Sequence, residues 1–131
     1  MNTDKILIFV VDDDALLLSL IIDNLSDYEN YTVRGFSTAE DCIEQLYQKP
    51  KIIVLDYHLN NDENIGVMNG MQALKKIKEY LPGTKVIILS GQNRLNIAGD
   101  LLDMGVFDYI MKDIDAFKVL ESKIVKALEI A

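Results

Sequence analysis

The sequence of 131 residues contains no tryptophan, one cysteine, one histidine and two prolines. With Cys42 as the only cysteine, no internal disulfide can form. Cys42 falls in a helical pattern and reads as a small apolar side chain; a catalytic thiol would want a nearby histidine, and the only one is His58. Two prolines (Pro50 and Pro82) and seven glycines are too few for a disordered or linker-rich chain. Long apolar runs are missing too. Ile6–Val11 and, interrupted by Ser19, Ala15–Ile22 are both too short to cross a bilayer. The start, Met1-Asn2-Thr3-Asp4-Lys5, lacks the basic stretch and apolar core of a signal peptide, so a cytoplasmic location is expected. Positive charge is scarce: 13 Lys and Arg face 21 Asp and Glu, for a net charge of −8. That balance disfavours nucleic-acid and anionic membrane partners. The nearest thing to a basic patch, Lys75-Lys76-x-Lys78, reads as a solvated helix face.

The length fits one domain, residues 1–131, large enough to bury a proper core. Short apolar, β-rich runs recur: Ile6–Val11, Tyr31–Phe36, Ile52–Leu55, Lys85–Leu89 and Phe107–Met111. The second is more polar, with Arg34 and Gly35, and suits a sheet edge. Between the runs lie helical patterns. Ala15 to Leu25 carries Leu16, Leu17, Leu20, Ile21 and Leu25 on a broad apolar face. Ser37-Thr38-Ala39-Glu40 reads as a capping box, with Ser37 and Glu40 satisfying amides of a helix that runs to about Tyr47. A third helix starts at Gly70 with Met71, Leu74, Ile77 and Tyr80 inward, and Leu81-Pro82-Gly83 ends it. A fourth spans roughly Leu95 to Met104 and is capped by Gly105; a fifth runs from about Asp115 to Leu128, with Phe117, Leu120, Ile124, Val125 and Leu128 inward. Five strands alternating with five helices predict an α/β fold with a parallel sheet covered on both faces. Right-handed crossovers and the more polar edge strands favour the flavodoxin-like doubly wound order 2-1-3-4-5.

In a parallel sheet all strands end at one edge. Asp12, Asp13, Asp56, Ser90 and Lys112 therefore gather there from four strands. Three carboxylates so close repel one another, which makes sense around a hard divalent cation such as Mg²⁺. Lys112 would neutralise a phosphoryl oxygen and the Ser90 hydroxyl would hydrogen-bond another, leaving Asp56 as a phosphate-accepting nucleophile. Singly, each piece has a plain reading: Asp12 to Asp14 as a helix cap, Asp56 as a turn former, Ser90 and Lys112 as surface residues. It is their joint occurrence at four strand ends that carries chemistry.

Over nearly its whole length the chain resembles the receiver domains of bacterial two-component response regulators, the CheY-like family. The resemblance rests on Val11-Asp12-Asp13, Leu55-Asp56, Met68-Asn69-Gly70, Ile88-Leu89-Ser90-Gly91 and Asp108-Tyr109-Ile110-Met111-Lys112. It implies that Asp56 is the phosphoacceptor, with Ser90 and Lys112 completing the catalytic set. It implies a Mg²⁺ site of Asp12, Asp13, Asp56 and the backbone carbonyl of His58, with Asp13 the more direct ligand of the acidic pair. Ser90 and Tyr109 would form the switch. The side chains of His58 and Gln92 would set the lifetime of the phosphoryl group. The donor would be a sensor histidine kinase or a histidine phosphotransfer protein, and phosphorylation would alter the surface of the fourth helix, fifth strand and fifth helix. The chain would be a signalling module, monomer or weak dimer, that assists only its own phosphorylation and dephosphorylation.

Three departures from the family pattern stand out. The stretch from Asp56 to Gly70 is several residues long for the family, brings Asp62 and Glu63, and lacks the usual Met-Pro. Asp113 follows Lys112 where the family has proline. A cis bond there would cost roughly 2.5–4 kcal/mol, so either the bond is trans with a shifted lysine or it is a strained cis bond. Gly91 follows Ser90 where a small residue such as alanine is common. Other functions fit less well. An aspartyl phosphatase of the haloacid-dehalogenase type would need a second aspartate where His58 stands. A flavin binder would not place three aspartates at its phosphate loop. A receiver-like binding module without phosphoryl turnover is the serious alternative.

Overall fold

The structure is a computed structural model that describes residues 5–59, 67–91 and 102–129. Five strands form one parallel sheet: β1 (Ile6–Val11), β2 (Tyr31–Phe36), β3 (Ile52–Asp56), β4 (Lys85–Ser90) and β5 (Asp108–Met111), in the order β2-β1-β3-β4-β5. This is the expected flavodoxin-like order. The expected fifth strand begins one residue early, at Phe107; the strand runs from Asp108, although the Phe107 amide already donates to the Val86 carbonyl of β4.

All five residues of β3 are buried, which is why this segment reads as an unbroken apolar run. Alternate residues of the central strands feed opposite layers. Phe9, Val11, Ile53, Leu55, Val86 and Ile88 meet α2 (Ala39–Glu44) and α3 (Gly70–Tyr80). Ile8, Val10, Ile52, Val54, Ile87 and Leu89 meet α1 (Ala15–Ser26) and the C-terminal helix (Ala116–Glu129). Each of these large apolar side chains contributes about 1.5–3 kcal/mol by leaving water. β2 is half-exposed, as an edge strand should be.

Local structure departs from the sequence expectations in several places. The cap of α2 is Thr38, not Ser37: its hydroxyl oxygen accepts the Asp41 amide at 3.2 Å. Glu40 does not turn back to the cap but accepts the Met68 amide at 2.7 Å, so this carboxylate is used in tertiary contact. α2 ends at Glu44, and a short 3₁₀ turn over Leu46–Gln48 follows, closed by Lys49 at φ 57°. The capping box occurs instead at Asn69 and Gln72 of α3. On α1, Ile21 and Leu25 are buried, but Leu16 and Leu20 are 70% and 45% exposed, so the apolar stripe is wider than the layer it covers. Tyr80 and Val125 are likewise exposed rather than inward. Of the fourth expected helix only its end is described: Leu102 and Asp103 are helical, and Gly105 stops them with φ 87°, its amide donating to Leu102. Cys42 is buried, and burial pushes its thiol up to about 12, consistent with a core side chain.

Candidate functional site

Three segments leave the sheet at its carboxyl edge and each is locally fixed. After β1, the Asp12 amide donates to the Phe36 carbonyl at 3.0 Å, and Asp12 Oδ1 accepts the Asp14 amide at 2.9 Å. Asp14 is the cap of α1 and accepts the amides of Leu16 and Leu17. The helix therefore occupies Asp14 and leaves Asp12 and Asp13 for other uses. After β3, Asp56 Oδ1 accepts the His58 amide at 3.0 Å, and the Tyr57 amide donates to the Leu89 carbonyl at 2.8 Å. The start of α3 presses on this turn. A Cβ on Gly70 would overlap the Tyr57 carbonyl oxygen and lie 2.9 Å from that of Asp56, so only glycine fits there. After β4, the Ser90 carbonyl accepts the Lys112 amide at 2.7 Å, which anchors the end of β5 beside it.

Asp12 and Asp56 are buried, Asp13 is exposed, and one oxygen of each lies within 4.8 Å of the others. Lys112 bridges the two buried carboxylates, its Nζ 3.1 Å from Asp56 Oδ1 and 3.3 Å from Asp12 Oδ2. No peptide bond among the described residues is cis, so the Lys112–Asp113 bond is trans, and the lysine still reaches both partners. Burial and, after it, the charge of Asp56 lift the Asp12 carboxyl to about 6, although the Asp14 amide and Lys112 oppose them. Burial alone would lower the Lys112 ammonium, but Asp56 and then Asp12 outweigh it and hold the group above its usual range. One ammonium thus serves both buried carboxylates of the cluster. Oxygen donors on two separate strand ends, two of them buried, suit a hard divalent cation of the Mg²⁺ kind.

Ser90 is buried at the end of β4, with its Oγ 3.1 Å from His58 Nε2. The sequence reading gives the His58 carbonyl to the cation and its side chain to the phosphoryl lifetime, without pairing the ring with Ser90. That pairing could have been found from topology, because β3 and β4 are adjacent and their exits face each other. Tyr109 is half-buried against the α2 and α3 layer, on β5, two strands from Asp56 and three from Asp12. Gln92, the acidic Asp62 and Glu63, and most of the Asn60–Val67 stretch lie outside the described residues. The Glu40–Met68 bond was also missed, since nothing in a helix-start pattern announces a carboxylate that reaches another loop.

A five-stranded sheet with carboxylates, a hydroxyl and a lysine converging at its carboxyl edge defines a phosphoacceptor signalling domain. The family model of the response regulator receiver domain matches residues 8–124. The chain belongs to this family, whose members are the phosphoacceptor domains of two-component signalling. It is 31% identical over 114 residues to the putative response regulator NtrX-like of Rickettsia conorii (strain ATCC VR-613 / Malish 7), covering 86% of this chain but 23% of that protein. It is 28% identical over 115 residues to protein CcdB of Bacillus subtilis (strain 168), covering 86% of this chain and 91% of that one. The crystal structure of the signal receiver domain of a putative Luxo repressor protein from Vibrio parahaemolyticus superposes with a TM-score of 0.82 at 26% identity, covering 95% of this chain and 91% of that chain.

Proposed function

We propose that Asp56 accepts a phosphoryl group from the phosphohistidine of a sensor kinase or a histidine phosphotransfer protein. The N–P bond of the donor breaks, an O–P bond forms on a carboxylate oxygen of Asp56, and the donor imidazole leaves with the electron pair. Asp12, Asp13, Asp56 and the His58 carbonyl are the residues that would hold Mg²⁺. When bound, the cation supplies charge withdrawal from the incoming phosphoryl oxygens. Lys112, already between Asp12 and Asp56, offers its ammonium to a phosphoryl oxygen. Ser90 offers its hydroxyl to another and exchanges its contact with the His58 ring to do so. Tyr109 follows Ser90 inward, and the surface of the fourth helix, β5 and the C-terminal helix changes its partner preference.

The observation that carries this reading is the pair of buried carboxylates spanned by one lysine at the sheet edge. The donor would dock against α1 and the loop after β5. Leu16 and Leu20 on α1 and Ile114, which is 98% exposed, present apolar surface beside the acidic turn. Leu17, Lys112, Ile114 and Phe117 line a cavity of about 300 Å³. We assign residues 1–131 as one receiver domain that works in the cytoplasm as a monomer or weak dimer.

Intact mass after incubation with acetyl phosphate tests the assignment. One added phosphoryl group is expected with Mg²⁺ present, and none with EDTA or in Asp56→Asn. An adduct that survives Asp56→Asn would sink the assignment. His58 and Gln92 set the lifetime on this reading, so His58→Ala and Gln92→Ala should each change the decay rate of the adduct. Failure to form an adduct, with beryllofluoride also failing to bind, would favour a binding module without phosphoryl turnover.

A further inference from the structure

Lys112 has far to reach. It leaves the end of β5, at the edge of the sheet, and its ammonium lies 3.3 Å from Asp12, after β1, and 3.1 Å from Asp56, at the end of β3. A lysine has a flexible four-carbon stem, so such a bridge depends on where its backbone is held. On the strand side, the Lys112 amide donates to the Ser90 carbonyl at 2.7 Å. On the helix side, Asp113 takes over. Asp113 Oδ1 accepts the Asp115 amide at 2.9 Å, and the Asp113 carbonyl accepts the Ala116 amide at 3.1 Å. The Asp115 carbonyl then accepts the Val119 amide at 3.0 Å, in the first turn of the C-terminal helix. The chain thus passes from β5 into that helix by a turn whose first two bonds both end on Asp113.

Burial does not hold this turn. Asp113, Ile114 and Asp115 are all exposed, so its shape depends on its hydrogen bonds. Where the family has proline, the ring itself restricts the backbone after the lysine. Aspartate has no ring, and its side-chain bond to the Asp115 amide supplies the restriction instead. The charge of Asp113 does not account for the residue. A further carboxylate next to Lys112 adds to the negative charge around Asp12, Asp13 and Asp56, where like charges repel. The property that fits is a short side chain with an acceptor oxygen, which bonds the backbone two residues on.

We propose that Asp113 is a positioning residue for phosphoryl transfer: its side-chain turn holds the backbone from which Lys112 reaches Asp12 and Asp56. The chemistry rests on the phosphoacceptor reading of Asp56, whereas the placing of Lys112 is a property of the unphosphorylated fold. The test compares Asp113→Ala, which loses the acceptor oxygen, with Asp113→Asn, which keeps it without the charge. Each is made alone and together with Lys112→Met. Two quantities are read on the full chain: the rate of adduct formation from acetyl phosphate with Mg²⁺, by intact mass, and the urea unfolding midpoint in EDTA. Asp113→Ala should slow adduct formation about fivefold, and Asp113→Asn should stay within about twofold of the parent. Asp113→Ala should also lower the urea midpoint more in the parent than in Lys112→Met, which has no ammonium to misplace. Equal slowing by alanine and asparagine would place the effect in the charge and overturn the proposal. Equal midpoint shifts in both backgrounds would make the turn a local stabiliser only and overturn it too, as would an Asp113→Ala rate equal to that of the parent. If the parent forms no adduct, the phosphoacceptor reading fails, and the midpoint comparison still decides whether Asp113 places Lys112.

Discussion

At the edge where the strands end, Asp12 and Asp56 are buried side by side and share Lys112. At the edge where they begin, Lys49, Lys51 and Lys85 line an open cavity. The same sheet thus crowds negative charge at one end and positive charge at the other, but manages the two differently. The acidic end is internally organised: its carboxylates accept backbone amides and an ammonium, and an interstrand bond fixes the lysine. The basic end sets Lys49 and Lys51 at exposed positions and Lys85 at a half-buried one. Charge that is buried has to be satisfied within the fold, whereas exposed charge is satisfied largely by water. Mutations of charged residues should therefore cost more stability at the first edge than at the second.

The largest effect is expected from Gly70→Ala, which sets a methyl group against the backbone of Tyr57 and Asp56. Chemical denaturation should show a loss of about 3 kcal/mol, and Asp56 phosphorylation should fall with it. Lys112→Met comes next. It leaves two buried carboxylates without their shared ammonium, at a loss of about 2 kcal/mol after allowing for the partial exposure of the lysine. Added Mg²⁺ should then raise the melting temperature of this variant more than that of the parent. An equal rise in both would mean that lysine and cation do not serve the same charges. At the basic edge, Thr84→Val removes one buried hydrogen bond and should lose about 1 kcal/mol, read as a small drop in the denaturation midpoint. Smallest of all, Lys51→Glu should stay within about 0.5 kcal/mol of the parent and phosphorylate normally. A loss of several kcal/mol there would break the contrast between the edges.

Much of this was legible in the sequence because parallel strands convert position in the chain into position in space. Ile52–Asp56 is apolar throughout because both its faces are covered, and its last residue has to emerge at the edge with those of β1 and β4. Asp12, Asp56 and Lys112 could therefore be brought together before any coordinates were known. Lys51 and Lys85 obey the same rule from the other end, at the starts of β3 and β4. Side-chain partners across loops were less legible. Glu40 fits a capping box as a pattern, but the Met68 amide competes for it and wins. Leu16 and Leu20 fit an inward stripe, but the layer they lie over is not wide enough to cover them. Nor does the sequence before a lysine announce that a trans Lys112–Asp113 bond still lets the ammonium reach Asp12 and Asp56.

The close packing of Gly70 on Tyr57 has a use in protein engineering. Leu59 is buried on the entry side of residues 60–66, while the Glu40–Met68 bond and Gly70 hold the exit side. A segment whose two ends are clamped can be exchanged for a longer one at low cost, about 0.6 kcal/mol for each doubling of length. An epitope or reporter peptide grafted between Leu59 and Met68 should leave Asp56 phosphorylation intact, and a graft in Glu40→Ala should not be tolerated as well.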